Sequence, residues 1–161
     1  MSIEIYLKLG DLKGESQVKG HENQIEVLTW NWVLHQEGSI HQGSGGGAGK
    51  VSVKDLNLTK YIDTASPTLL QSTCTGKHFP EAKLTMRKAT GAAPLDYYVI
   101  TMKHVIVTGV DIGHSSGGVR MTEEISLSFA EFEVSYQPQD DKGGKKGGAI
   151  SSKFNIAKNT V

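Results

Sequence analysis

Residues 26–36 read EVLTWNWVLHQ and hold both tryptophans of the chain, with Asn31 between Trp30 and Trp32. In a β-strand, successive side chains point to opposite faces. Leu28, Trp30, Trp32 and Leu34 then share one apolar face and form a candidate core row, while Thr29 and Asn31 look the other way. A platform for stacking bases or sugars would leave both rings exposed. The flanking leucines place the rings in a core instead, and the question becomes what Asn31 faces.

Strand patterns surround this segment. IEIYLKL (3–9) puts Ile3, Ile5, Leu7 and Leu9 on one face and Glu4, Tyr6 and Lys8 on the other. KVSVKDLNL (50–58) carries Val51 and Val53 on one parity and Leu56 and Leu58 on the other, which predicts a bulge or bend near Lys54–Asp55. AKLTMRK (82–88) groups Ala82, Leu84 and Met86. LDYYVITMKHVIVTGV (95–110) is apolar on both faces, the pattern of a doubly covered strand. EEISLSFAEFEVSYQ (123–137) changes parity near Ala130–Glu131, and KFNI (153–156) reads as a last short strand. Long strands with bulges are what a curved, closing sheet requires.

One helix is expected, in DTASPTLLQSTCTG (63–76). Ser66 is its capping residue, Pro67 its first position and Gly76 its stop. Leu69, Leu70, Thr73 and Cys74 form its apolar face, which makes Cys74 a small buried hydrophobe. Two glycine-rich stretches, 41–50 and 138–149, bury little and are expected to be mobile.

The chain of 161 residues has a size that suits one domain spanning 1–161. Seventeen basic and seventeen acidic residues cancel. That argues against nucleic acid and against a polybasic membrane anchor. The single cysteine excludes an internal disulfide. The first residues lack the pattern of a secretory signal, and no stretch approaches the ~20 apolar residues of a membrane span. Synthesis in the cytoplasm is expected, with any export left to a machine that needs no signal peptide.

Catalytic chemistry finds little support. GSGGGAGKV (43–51) imitates a phosphate loop, but Ser44 stands where the first glycine belongs, Val51 replaces the hydroxyl, and a strand follows in place of a helix. The six histidines are scattered and show no metal-ligand spacing. No motif activates Cys74. Glu123 and Glu124 point to opposite faces of a strand, which is no acid/base pair. The expected protein is no enzyme and holds no cofactor and no metal.

GDLKGESQVKGHENQIEVLTWNW (10–32) resembles the opening of the Hcp family, the haemolysin-coregulated proteins of bacterial type VI secretion. The resemblance continues through SGGGAGKVSVKDLNLTKYIDTASPTLL, TGKHFPEAKLTMRKA, YYVITMKHVIVTGV and EEISLSFAEFEVSYQPQ, so it covers nearly the whole chain and is least distinctive after Pro138. It implies a mainly β protein, a two-sheet β-barrel with one flanking α-helix. It also implies a homohexameric ring whose copies stack into a hollow tube. A contractile sheath expels that tube, with a tip (spike) protein, into target cells, and the lumen holds and stabilises effector proteins. Export through this machine would need no signal peptide.

Carried onto this chain, the resemblance places Asn31, with Thr29 beside it, on the lumen wall. It gives the extended loop 38–50, with Gly38, Ser39, Gly43, Ser44, Gly45, Gly46, Gly47 and Lys50, to contacts between stacked rings. Two other readings compete: a monomeric β-barrel that binds a ligand or carbohydrate, and a hydrolase built on Cys74 and a nearby histidine.

Overall fold

In a computed structural model, residues 2–41, 47, 49–88, 94–113 and 117–161 are described. The strands are β1 (Ile3–Leu9), β2 (Ile25–Val27), β3 (Thr29–Asn31), β4 (Leu34–His35), β5 (Ser52–Val53), β6 (Leu56–Tyr61), β7 (His78–Lys88), β8 (Leu95–Gly113), β9 (Thr122–Tyr136) and β10 (Ile150–Asn155). One helix, α1 (Ser66–Thr75), lies between β6 and β7.

The main sheet runs β2-β1-β7-β8-β9-β6-β3, with β10 added on β9, and every pairing is antiparallel. Its two ends, β2 and β3, are consecutive pieces of one chain segment joined at Leu28. The sheet must therefore curl until its ends meet, which makes it a nearly closed barrel. Leu7, Leu9, Ile25, Leu56, Leu84 and Ile125 are among the side chains that fill it. Burying such alternating apolar rows is the main force holding the barrel.

The two expected parity switches both occur. Lys54–Asp55 separates β5 from β6. In β9 the inward positions Ile125, Leu127 and Phe129 give way to Phe132 and Val134, which pack on the core. β8 makes the same exchange opposite, from Ile100 and Met102 to Val105 and Val107. The switch falls at His104, whose φ is 55°, between the register pairs Lys103–Glu131 and Val105–Phe129. The register is kept across His104, and the bulge between β8 and β9 is at Thr108, which separates Val107–Leu127 from Gly109–Ser126. β8 reads as apolar on both faces because it exchanges faces along its length. It is not a doubly covered strand.

β1 corrects its simple alternation as well. Tyr6, on the expected polar face, is buried because the loop 10–24 folds over it. His21 stacks on the Tyr6 ring at 4.5 Å, and its ring nitrogens lie 2.9 Å from Gln24 Oε1 and 3.0 Å from Asp96 Oδ1. Arg87 Nε donates to the same carboxylate at 2.9 Å. Burial pushes the Asp96 carboxyl up, but the His21 and Arg87 hydrogen bonds and charges outweigh it and hold it below the usual carboxylate range. Gly14 lets the loop pack this closely, since a Cβ there would stand 2.7 Å from Ile25 Cα.

The helix also departs from expectation. Ala65, not Ser66, holds the N-cap position, and no side chain caps the helix; Asp63 Oδ1 accepts from the Ala65 N–H at 2.9 Å, and Ser66 Oγ accepts from the Asp63 N–H at 2.9 Å. Gly76 ends the helix in the left-handed conformation, φ 64°. The buried positions are Ser66, Leu69 and Ser72, whereas Leu70 and Cys74 are exposed. Ser72 is buried without loss because its hydroxyl donates back to Thr68 O at 2.7 Å. Cys74 is thus a surface thiol, contrary to its expected burial.

The stretch 138–149 is a structured turn, not a slack connection. Asp140 Oδ1 accepts the N–H groups of Lys142 and Gly144 at 2.9 and 2.8 Å. Gln137 Nε2 donates to Gly147 O at 3.0 Å across its base. No helix among the described residues is long and apolar enough to cross a membrane.

Candidate functional site: a polar face across four strands

Trp30 and Trp32 are partly buried and pack against the core. Trp32 meets Phe129 and Phe132 edge-on at 5.6 and 4.8 Å, and its indole N–H donates to Lys54 O at 2.9 Å. Leu28 and Leu34 do not share this core row, as they are 40% and 43% exposed. Leu28 sits at the bend where the chain leaves β1 for β6, and its N–H donates to Thr59 O at 2.8 Å. That bend turns Val27 inward, Leu28 and Thr29 outward, and Trp30 inward again. Leu34 lies in β4, which among the described residues pairs with β5 in a two-stranded ribbon separate from the main sheet. Val53, opposite Leu34, still packs against the core, whereas Leu34 and His35 are exposed.

Thr29 and Asn31 are exposed on the outer face of β3. Strand register puts them in two rows. Asn31 lies opposite Asn57, Asn57 opposite Ser126, and Ser126 opposite Gly109. Thr29 lies opposite Thr59, Thr59 opposite Glu124, and Glu124 opposite Asp111. Directly paired residues share a face, so these eight positions form one polar wall across β3, β6, β9 and β8. At the ordinary strand spacing it is about 14 Å wide. Ser126 Oγ donates to Asn57 Oδ1 at 2.6 Å. Gly109 keeps that seat open, because a Cβ there would approach Ser126 Oγ to 3.3 Å. At the edge of the wall, Thr108 Oγ1 donates to Asp55 Oδ2 at 2.6 Å.

Strand alternation in the sequence reveals only the Thr29 and Asn31 part of this wall. Asn57, Ser126, Glu124 and Asp111 join it through pairings up to 69 residues apart in sequence, which no local pattern reveals.

The β4–β5 ribbon carries the arm 38–50. Ser39 Oγ donates to Gly47 O at 2.9 Å and accepts the Gly47 N–H at 3.2 Å. Gln36 Nε2 donates to Gly49 O. Gly38, Gly47 and Lys50 are exposed and Ser39 is half-buried. Gly43, Ser44, Gly45 and Gly46 lie outside the described residues. Lys50 leads directly into β5, so no helix follows the phosphate-loop look-alike.

A concavity of about 300 Å³ lies elsewhere, beside β10, with Phe132, Phe154 and Lys158 in its lining. Its charges oppose one another across strands, Lys103 against Glu131 and Lys153 against Glu133. Among the described residues no group of three His, Cys, Asp or Glu has the arrangement of a metal site.

The chain matches, over residues 6–136, the family described as "Type VI secretion system effector, Hcp". It is 48% identical to Protein hcp1 of Pseudomonas aeruginosa over 159 residues, 99% of this chain and 98% of that one. The structure superposes on Hcp1 from Salmonella typhimurium with a TM-score of 0.82 at 38% identity, covering 99% of both chains. It is similar also to a solved type six secretion system protein, with a TM-score of 0.91 at 29% identity over 99% of both chains.

Proposed function

Because the chain belongs to the Hcp family of type VI secretion proteins, we propose that it is the tube subunit of that machine: six copies form a ring, rings stack, and the bore carries effector proteins. The observation that carries this reading is the wall of Thr29, Asn31, Asn57, Thr59, Ser126 and Glu124, a broad sheet face with no apolar side chain. Such a face suits a water-filled bore better than a buried contact. In this reading Asn31 and Thr29 contact cargo. The arm 38–50 reaches the neighbouring ring, a reading supported by the exposure of Gly38, Gly47 and Lys50 and by the hydrogen bonds between Ser39 and Gly47. The tip (spike) protein and the contractile sheath are the remaining partners, and the chain leaves the cell with the tube. The protein works by geometry and surface chemistry, without a reaction of its own.

Light scattering on a sizing column tests the ring. The expected mass is that of about six chains, each of 17.4 kDa. A one-chain mass, steady across concentration and salt, would overturn the tube reading in favour of a monomeric binding barrel.

A further inference from the structure

We propose that the polar wall docks positively charged stretches of cargo protein, with Glu124 and Asp111 as the selecting residues. This rests on the tube reading above. The observation is a pair of like charges with no cation beside it. Glu124 and Asp111 are both exposed and stand directly opposite each other on β9 and β8. Like charges in that relation repel, and a sheet normally places opposite charges there. Most charged pairs of this sheet follow that rule, as Lys103 facing Glu131, Lys153 facing Glu133 and Lys60 facing Glu123, and Lys8 opposite Lys83 is the other like-charged pair among the described residues.

With seventeen basic residues for seventeen acidic ones, the chain has cations enough to neutralise the pair. None of the eight wall positions is lysine or arginine. Arg120, near the end of the wall, is engaged with the Tyr61 ring, 4.1 Å from its centroid. Among the described residues neither Glu124 nor Asp111 takes part in an ion pair. Asp55 adds a third carboxylate at the wall's edge.

A lysine or arginine from outside relieves the repulsion and gains two partners at once. The amide and hydroxyl row beside it, Asn31, Asn57 and Ser126, offers neutral hydrogen-bonding groups to the same segment. In a ring the pair repeats around a narrow bore, where low-dielectric walls concentrate the field. Neutral or acidic cargo finds no such complement.

The test uses assembled rings and two fluorescein-labelled peptides of equal length, one of repeated Lys-Ser-Gly and one of repeated Glu-Ser-Gly, read by anisotropy. The cationic peptide is expected to bind, and the Glu124→Gln/Asp111→Asn double variant to bind it roughly tenfold more weakly. Raising salt from about 0.05 M to about 0.5 M is expected to weaken wild-type binding by at least as much. Equal affinity of variant and wild type overturns the proposal, as does equal binding of the two peptides. Should the variant fail to assemble, the salt titration on wild type decides, and a flat response overturns the proposal. The tube reading is checked separately with Glu124→Cys in a Cys74→Ser background, labelled with maleimide gold. Gold seen at the outer rim of end-on rings, not in the hole, would sink the lumen assignment whatever the peptides do.

Discussion

Lys60 Nζ lies 2.6 Å from Glu123 Oε1 inside the barrel, with both side chains withdrawn from solvent. Asp63 and Ser66 complete the cluster, Lys60 donating to them at 2.9 and 3.2 Å. Ser66 Oγ also donates to Glu123 Oε1 at 2.6 Å. The entrance of α1 is thereby tied to β6 and β9. Among the described residues, Glu123 Oε2 is buried without a hydrogen-bond partner. The cluster fixes the geometry of the helix entrance at the cost of withdrawing charge from water.

Removing one member of this pair leaves its partner as an uncompensated buried charge. Lys60→Met is expected to cost about 3–5 kcal/mol, whereas Lys60→Met with Glu123→Leu recovers much of that loss. Urea denaturation at one fixed protein concentration measures both. A single variant as stable as wild type would show that the cluster adds nothing to the fold.

Asn31 faces outward beside Asn57, so its replacement touches no core contact. Asn31→Gln and Asn31→Arg are expected to leave the ring mass unchanged and stability within about 0.5 kcal/mol, and to alter retention of the cognate effector. Light scattering with effector co-purification reads both quantities. Equal retention by both variants would remove Asn31 from the cargo face.

Asp96 supplies an acid limb to stability. Its folded-state carboxyl is held below the usual range by His21 and Arg87 despite partial burial. Its contribution is therefore fully present above the unfolded carboxylate pKa and is lost as pH falls through the lower folded-state value. Asp96→Asn is expected to flatten thermal stability against pH in this acid range while lowering it at neutral pH. A parallel pH profile in wild type and variant would contradict the assignment.

Ser39 closes the arm through its two hydrogen bonds to Gly47. Ser39→Ala is expected to loosen the arm by about 1 kcal/mol without weakening the ring, since the arm's ribbon is separate from the main sheet. Electron microscopy should then find shorter stacks built from intact rings. Broken rings with normal stack length would move the arm to contacts within the ring.

The amino-acid sequence by itself determined the strand content, the curvature and the position of the helix. Alternation in IEIYLKL, the parity breaks at Lys54–Asp55 and Ala130–Glu131, and the stop at Gly76 are local signals, and local signals survive without knowledge of partners. It also identified Asn31 and Thr29 as outward-facing, because one strand's parity suffices for that. Tertiary structure alone decided that Leu28 turns out at the bend, that Leu34 lies exposed in a separate ribbon, and that loop 10–24 buries Tyr6. It decided the Asp140 turn, whose hydrogen bonds outweigh the freedom of its glycines. Above all it decided the wall: Asn31 meets Asn57, Ser126 and Gly109, and Glu124 meets Asp111, only because four strands close in one register. Register is set by the burial of the opposite face, so the chemistry of the outer surface is fixed by the packing of the core.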